Sequence, residues 1–434
     1  MSNEQDSPIN AIPAIIPRPE HNISRGDISD AALKVLYRLH KAGYAAYLVG
    51  GGVRDLLLGR HPKDFDIATD AHPEEIKKLF RNCRLIGRRF RLAHIHFGRE
   101  IIEVATFRAP HNQGGGEGVI SNGMILRDNV YGTLEDDAWR RDFTVNALYY
   151  NIDDFSIIDY TGGMADLQAG VLRMIGDAHT RFQEDPVRML RAARFAAKLN
   201  FRLEAGMAKQ IHELGEKISG VPPARLFDEV LKLFQTGHAV QSFEVLKDLE
   251  LFGYLFAQTD ALLKQGDAYS EAFIRQALSN TDERILVGKP VNPAFLFAAL
   301  LWGPVRQEVM LLQQQGMTQL QALQAAGNEV VAEQLRQVTI PKRFSYPMRE
   351  IWVAQARLPR RQGKRAYRLL EQPRFRAAYD FLLLRCEVGE PLKELCTWWT
   401  RFQEVDSEER AAMIKRLGGG KKRRRHRKPR SAEA

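Results

Sequence analysis

The sequence predicts an α/β head, with a small mixed or antiparallel sheet flanked by helices, followed by a mostly α-helical neck and body. Three observations carry that expectation. Over residues 26–176, short apolar runs rich in strand formers alternate with helical patterns. From Glu204 onward most segments have helical periodicity. At 434 residues the chain is also long for one core, so two or three domains are expected.

Residues 1–25 carry four prolines and little periodicity and are expected to be disordered. Ala32, Val35, Leu36 and Leu39 recur at helical spacing between Ser29 and Ala42, and Gly43 stops that helix. Tyr47-Leu48-Val49 then reads as a strand, Gly50-Gly51-Gly52 as a turn, and Val53 to Leu58 as one or two helical turns ending at Gly59. Such a turn at a helix start lets backbone N–H groups approach phosphate oxygens with no Cβ in the way, and Arg54 adds a forked donor. Past His61-Pro62, the stretch Asp64–Thr69 alternates polar and apolar, and a period of two puts the carboxylates of Asp64 and Asp66 on one face. Adjacent carboxylates repel and ask for a cation. Mg²⁺ suits them, because it takes one or two carboxylates and fills its octahedron with substrate phosphates and water. A dinucleotide fingerprint is excluded, since it needs a third glycine where Asp55 stands, and no Walker A pattern occurs.

Pro73–Phe80 reads as a helix with proline and acids in its first turn. Two strands follow, Ala93–Phe97 and Ile101–Phe107. His94 and His96 share a face but lack a third metal ligand. Glu103 sits within an apolar run, where an acid is costly unless compensated. A third carboxylate facing the metal pair would explain it, and so would a salt bridge to an arginine. Ala109–Gly123 is expected to be a mobile loop, and Leu134–Tyr150 a mainly helical segment with Asp136, Asp137, Arg140, Arg141 and Asp142 on its polar side. A strand over Phe155–Tyr160 and the Gly162-Gly163 turn close the head near Gly176. Asp185 and Pro186 form a helix start, with Asp185 as N-cap, and Arg188 and Arg191 lie three apart on one face of that helix. The expected division is a head over 26–176, a neck over 177–225, a body over 226–338, an arginine-rich helical region over 339–417 and a basic disordered tail over 418–434.

Four motifs in this order resemble the signature of the class II nucleotidyltransferases, which comprise bacterial poly(A) polymerases and CCA-adding tRNA nucleotidyltransferases. They are Gly50-Gly51-Gly52-Val53-Arg54-Asp55, Asp64-Phe65-Asp66, Arg140 to Ala147 (RRDFTVNA) and Glu184 to Phe195 (EDPVRMLRAARF). Leu85 to His94 is similar to a segment of the poly(A) polymerase branch, and the basic tail points the same way. The resemblance implies transfer of AMP from ATP to RNA 3′ ends, with Asp64, Asp66 and Asp142 as catalytic acids. Two Mg²⁺ ions would sit on Asp64 and Asp66, with Glu103 a further candidate ligand. It places Gly50, Gly51, Arg54 and Arg141 at the nucleotide, and Asp185, Arg188 and Arg191 at its base. A CCA-adding enzyme is the nearest rival. A catalytically inactive RNA-binding adaptor would show a broken Asp pair or glycine turn, and both are intact.

The net charge of +10 is concentrated in one place, because Lys421, Lys422, Arg423, Arg424, Arg425, Arg427, Lys428 and Arg430 supply eight of those charges. Such a block attracts polyanions by releasing their counterions, and it offers a contact for RNA-decay or RNA-chaperone proteins. Residues 341–385 interleave arginines with aromatics, the pattern that holds single-stranded nucleic acid, with about half of the aromatics expected in the core. The three cysteines, Cys83, Cys386 and Cys396, lack metal-ligand spacing and read as free thiols. With no secretory signal and no long apolar run, a cytoplasmic location is expected.

Overall fold

Ser29 accepts a hydrogen bond from the Ala32 N–H and so starts helix α1 (Asp30–Lys41), whose stripe of Val35, Leu36 and Leu39 is fully buried. The computed structural model describes residues 12–87, 91–109, 119–121, 124–127 and 130–417. Residues 1–11, the centre of Leu85–His94, most of the Ala109–Gly123 loop and the tail over 418–434 lie outside the described residues. The expectation of disorder over residues 1–25 fails for its second half, because Ala14–Ile16 pairs as a strand with Ile157–Asp159, a partner too distant in sequence for local pattern to reveal.

Strands β1 (Ala14–Ile16), β2 (Ala46–Val49), β3 (Asp66–Thr69), β4 (Cys83–Ile86), β5 (Leu92–Phe97) and β6 (Glu100–Thr106) belong to one sheet. β7 (Val119–Ser121) and β8 (Met124–Arg127) form a separate ribbon, and β9 (Leu148–Asn151) and β10 (Ile157–Asp159) return to the sheet. Its order is β1-β10-β9-β2-β3-β6-β5-β4, eight strands, antiparallel except for the β3–β6 pair. Between β2 and β3 lies the short helix α2 (Gly51–Leu57), and between β3 and β4 helix α3 (Pro73–Leu79). Leu48, Ile67, Ile95, Ile102 and Val104 make one face of the sheet apolar and buried, with α1 and α3 packed against these strands. The opposite face carries Asp66 and Glu103.

The expected helix over Leu134–Tyr150 is replaced by a short helix α4 (Leu134–Trp139), a turn, a single 3-10 turn (Thr144–Asn146) and strand β9. The backbone groups at 142–144 bond elsewhere. Asp142 O accepts the Ile175 N–H at 2.9 Å, the Thr144 N–H donates to Arg173 O at 3.1 Å, and Phe143 forms an isolated bridge with Met174. Helix α5 (Gly163–Ala169) sits so close to this turn that a Cβ on Gly163 would lie 2.2 Å from Thr144 O. β11 (Val171–Leu172) then pairs in parallel with β12 (Arg202–Leu203), enclosing helices α6 (Ala178–Glu184) and α7 (Val187–Leu199). The chain thus divides into two compact units, one over residues 1–221 with 244–251 and one over 222–243 with 252–434. α6 and α7, in the expected neck, belong to the first unit.

In the second unit the helices include Pro223–Phe234, Pro293–Leu300, Gln319–Gln334, Lys342–Gln355 and Lys393–Glu404. Its core closes around large aromatics with satisfied polar atoms: Trp352 Nε1 donates to Ala298 O and Trp399 Nε1 to Leu358 O, each at 3.0 Å. Of the aromatics interleaved with arginines, Trp352, Phe375 and Tyr379 are buried and Tyr346 is exposed. Arg357, Arg360, Lys364, Arg365 and Arg368 are exposed cations. No single helix among the described residues is long and apolar enough to cross a membrane.

Candidate active site

Strand register builds the acidic part of the site. Tyr149 pairs with Val49, Val49 with Asp66, Asp66 with Glu103, Glu103 with His94 and His94 with Arg84, so these six residues form one row across six strands. Cross-strand partners project to the same face, which places Asp66 and Glu103 side by side. Strand β3 begins at Asp66 rather than at the expected Asp64, which precedes the strand, is exposed, and is not placed by strand register. Burial pushes the Asp66 carboxyl up to about 6, with Glu103 and Asp64 adding repulsion that Arg141 and His94 partly offset. Glu103 is bonded by His94, whose Nε2 lies 3.3 Å from Oε2, and among the described residues no arginine pairs with it. Crowded carboxylates of this kind suit a divalent cation. No closed cage of three or more Asp, Glu, His or Cys ligands forms among the described residues, so the donors fit an ion that keeps water and substrate oxygens.

Gly50 stands at the N-terminus of α2 with φ +74°, and a Cβ there would lie 3.5 Å from Arg141 Nη1 and 3.9 Å from Asp66 Oδ2. The glycine turn therefore runs directly beside the acidic row, with Gly51 opening the helix. Arg141 is held by Asp137, whose Oδ2 accepts from Nε at 3.1 Å and Nη2 at 2.9 Å, and by the Tyr149 hydroxyl at 2.9 Å. Burial pushes the Asp137 carboxyl up, but Arg141 and the Tyr149 hydroxyl outweigh it and hold the group below its ordinary value.

Arg54 departs from the sequence-based expectation. It is 2% exposed, and its guanidinium donates to Asp55 Oδ1 at 2.9 and 2.6 Å and to Asn146 Oδ1 at 2.5 Å. Those donors brace the protein rather than point at a phosphate. The brace continues. Asn146 Nδ2 donates to Asp142 Oδ1 at 3.3 Å, Asp142 Oδ2 accepts from Arg191 Nε at 2.7 Å and Nη2 at 2.5 Å, and Lys198 Nζ donates to Asp55 Oδ2 at 3.2 Å. Burial would raise the Asp142 carboxyl, but Arg191 and the Asn146 and Phe143 N–H donors bring it down to about 2. Asp142 is thus fully bonded to Arg191, Asn146 and the backbone, and Asn146 is a central residue that sequence reading missed.

Asp185 Oδ1 accepts the Val187 N–H at 3.3 Å, but the helix begins at Val187, one residue later than expected, so that Pro186 and not Asp185 is its N-cap. Arg188 Nη1 donates to Glu184 Oε2 and to Arg181 O, both at 2.8 Å. Arg181, also unforeseen, reaches from α6 to the Arg140 and Arg141 carbonyls at 2.8 and 2.6 Å. It ties the Arg140–Asp142 turn to the start of α7. Its only signal in the sequence is its place three residues before Glu184.

Comparison with known proteins follows this geometry. Three family models match: the poly A polymerase head domain over 46–173, a probable RNA and SrmB-binding site of polymerase A over 200–263, and the polymerase A arginine-rich C-terminus over 315–432. Poly(A) polymerase I of Salmonella typhi is 53% identical over 93% of this chain and 88% of its own length. The likeness to a CCA-adding enzyme of Lactobacillus gasseri is 37% and covers 52% of this chain. A CCA-adding enzyme of Thermotoga maritima solved with tRNA shares the fold, with a TM-score of 0.57 at 19% identity over 92% of this chain and 93% of its own. The fold is that of a nucleotidyltransferase head joined to a helical body. Within that class, the chain belongs to the poly(A) polymerase family.

Two outcomes follow from the brace. Arg54→Met leaves Asp55 with Lys198 alone and Asn146 Oδ1 without its donor, and is expected to cost about 2–3 kcal/mol in urea unfolding. Because Asp142 is held below its ordinary value, its ionised form stabilises the fold. That contribution, about 2 kcal/mol, is full above about pH 4 and is lost as the pH falls through about 2. Asp142→Asn should therefore be less stable than the parent at pH 6, with the gap closing below pH 3.

Proposed function

We propose that the protein is a template-independent polynucleotide adenylyltransferase that extends RNA 3′ ends with AMP from ATP. The observation that carries this reading is the glycine turn beside the crowded pair Asp66 and Glu103, with Asp64 approaching them, in a chain of the poly(A) polymerase family. The primer's 3′-hydroxyl oxygen attacks the α-phosphorus of ATP, the bond from that phosphorus to the β-phosphate oxygen breaks, and pyrophosphate leaves. Asp64 and Asp66 would hold two Mg²⁺ ions, with Glu103 beside them, and ions so bound lower the pKa of the attacking hydroxyl and neutralise triphosphate charge.

The remaining steps belong to the chain itself. The open backbone at Gly50 and Gly51 admits triphosphate oxygens close to Asp66, and Arg141 Nη1, which lies beside Gly50, supplies positive charge there. Asp185, Arg188 and Arg191 are assigned to the base. Arg188 would exchange its present acceptors, Glu184 Oε2 and Arg181 O, for a base edge. Asp142 takes a different part from the one its motif implies: bonded to Arg191, it orients that side chain and needs no direct part in metal binding. Arg54 holds α2 in place. The exposed cations between Arg357 and Arg368 would track the RNA backbone. Contacts of the basic tail with RNA-decay or RNA-chaperone proteins, and a cytoplasmic location, belong to the same reading.

The CCA-adding alternative is weaker, because the sequence of the Lactobacillus gasseri CCA-adding enzyme is 37% identical over 52% of the chain, against 53% over 93% for the Salmonella typhi poly(A) polymerase I. Supplying each NTP separately with an unstructured RNA and with a tRNA acceptor tests the proposal. Long A-tracts on the unstructured RNA are expected, whereas C,C,A addition confined to tRNA would overturn it. Asp64→Ala and Asp66→Ala should each reduce incorporation by at least a hundredfold.

A further inference from the structure

We infer that His94 is a positioning residue for the acidic site: it holds Glu103 in the row that contains Asp66, and so sets how tightly these carboxylates take up a divalent cation. The inference rests on the metal-dependent reading of Asp64 and Asp66 given above.

Three features support it. Register places His94 directly across from Glu103 on β5 and β6, and Glu103 directly across from Asp66 on β6 and β3. His94 Nε2 lies 3.3 Å from Glu103 Oε2, and among the described residues no lysine or arginine pairs with that carboxylate. The two side chains are 24% and 42% exposed, so a glutamate beside Asp66 has room to swing toward solvent, away from a like charge. A single bond to a ring fixed on the neighbouring strand opposes that movement. Side chains that orient a metal-binding carboxylate in this way change metal affinity about 10–100-fold when removed. A purely structural part for His94 is weak by comparison, because the burial of β5 is supplied by its neighbours Ala93 and Ile95.

The test measures binding of Mn²⁺ alone to the full-length protein by electron paramagnetic resonance. It is run with Mg²⁺ titrations of AMP incorporation on the wild type, Asp66→Asn, His94→Ala, His94→Gln, Glu103→Gln and the His94→Ala/Glu103→Gln pair. Asp66→Asn should remove the tight Mn²⁺ population. His94→Ala should raise the Mn²⁺ dissociation constant and the Mg²⁺ midpoint about tenfold while leaving KM for the RNA primer unchanged. His94→Gln, which retains an N–H donor, should recover part of the loss. The double variant should bind no more weakly than Glu103→Gln alone. Wild-type Mn²⁺ affinity in His94→Ala, or fully additive effects in the double variant, would overturn the inference while leaving the metal reading intact. Wild-type Mn²⁺ binding in Asp66→Asn would overturn that reading itself. Should His94→Ala fail to fold, the comparison of His94→Gln with Glu103→Gln decides the same question.

Discussion

A buried guanidinium must have its charge answered inside the protein, and the way Arg54 is answered sets the geometry around it. Its partners come from three places in the chain: Asp55 beside it on α2, Asn146 in the turn before β9, and, through them, Lys198 and Asp142–Arg191 at α7. Arg54, Arg191 and Arg194 also lie 4.5–5.5 Å from the centre of the Phe195 ring, so the three cations gather around one aromatic side chain. The glycine turn, the Arg140–Asn146 turn and α7 are consequently linked by one continuous hydrogen-bond network.

The acidic row depends on a different constraint, the register of a mixed sheet. Because β3 and β6 run parallel while their outer neighbours run antiparallel, a long crossover through α3, β4 and β5 brings Glu103 next to Asp66. The repulsion between them is answered at both ends of the row, by His94 on one side and by Arg141, anchored on Tyr149, on the other. The carboxylate pair is thus held between a histidine ring nitrogen and a guanidinium, both fixed on the same framework of strands and turns.

Local pattern made much of this legible. The glycine turn, the Asp64–Asp66 spacing, the strands around Glu103 and most helices of the second unit follow from periodicity and punctuation, which are properties of neighbouring residues. What escaped was non-local. The turn over Arg140–Asn146 looked helical because its charges fall at helical spacing, yet its backbone bonds go to residues 173–175, about thirty positions away. Arg54 looked like a phosphate donor because nothing nearby in sequence reveals Asn146 ninety-two residues on. Strand order decided the partner of Glu103 in the same way, favouring a histidine nine positions earlier over the many arginines of the chain.

Helix α7 is fastened twice, at Arg191 to Asp142 and at Lys198 to Asp55. Those anchors are seven residues apart, two turns of helix, so both emerge from nearly the same side. Inserting or deleting a single residue between them would swing one anchor about 100° around the axis relative to the other, and no sliding of the helix could restore both. The segment between the two anchors therefore tolerates exchanges of side chains but not a change of length, because only a fixed length keeps Arg191 in phase with Asp142 while Lys198 stays in phase with Asp55.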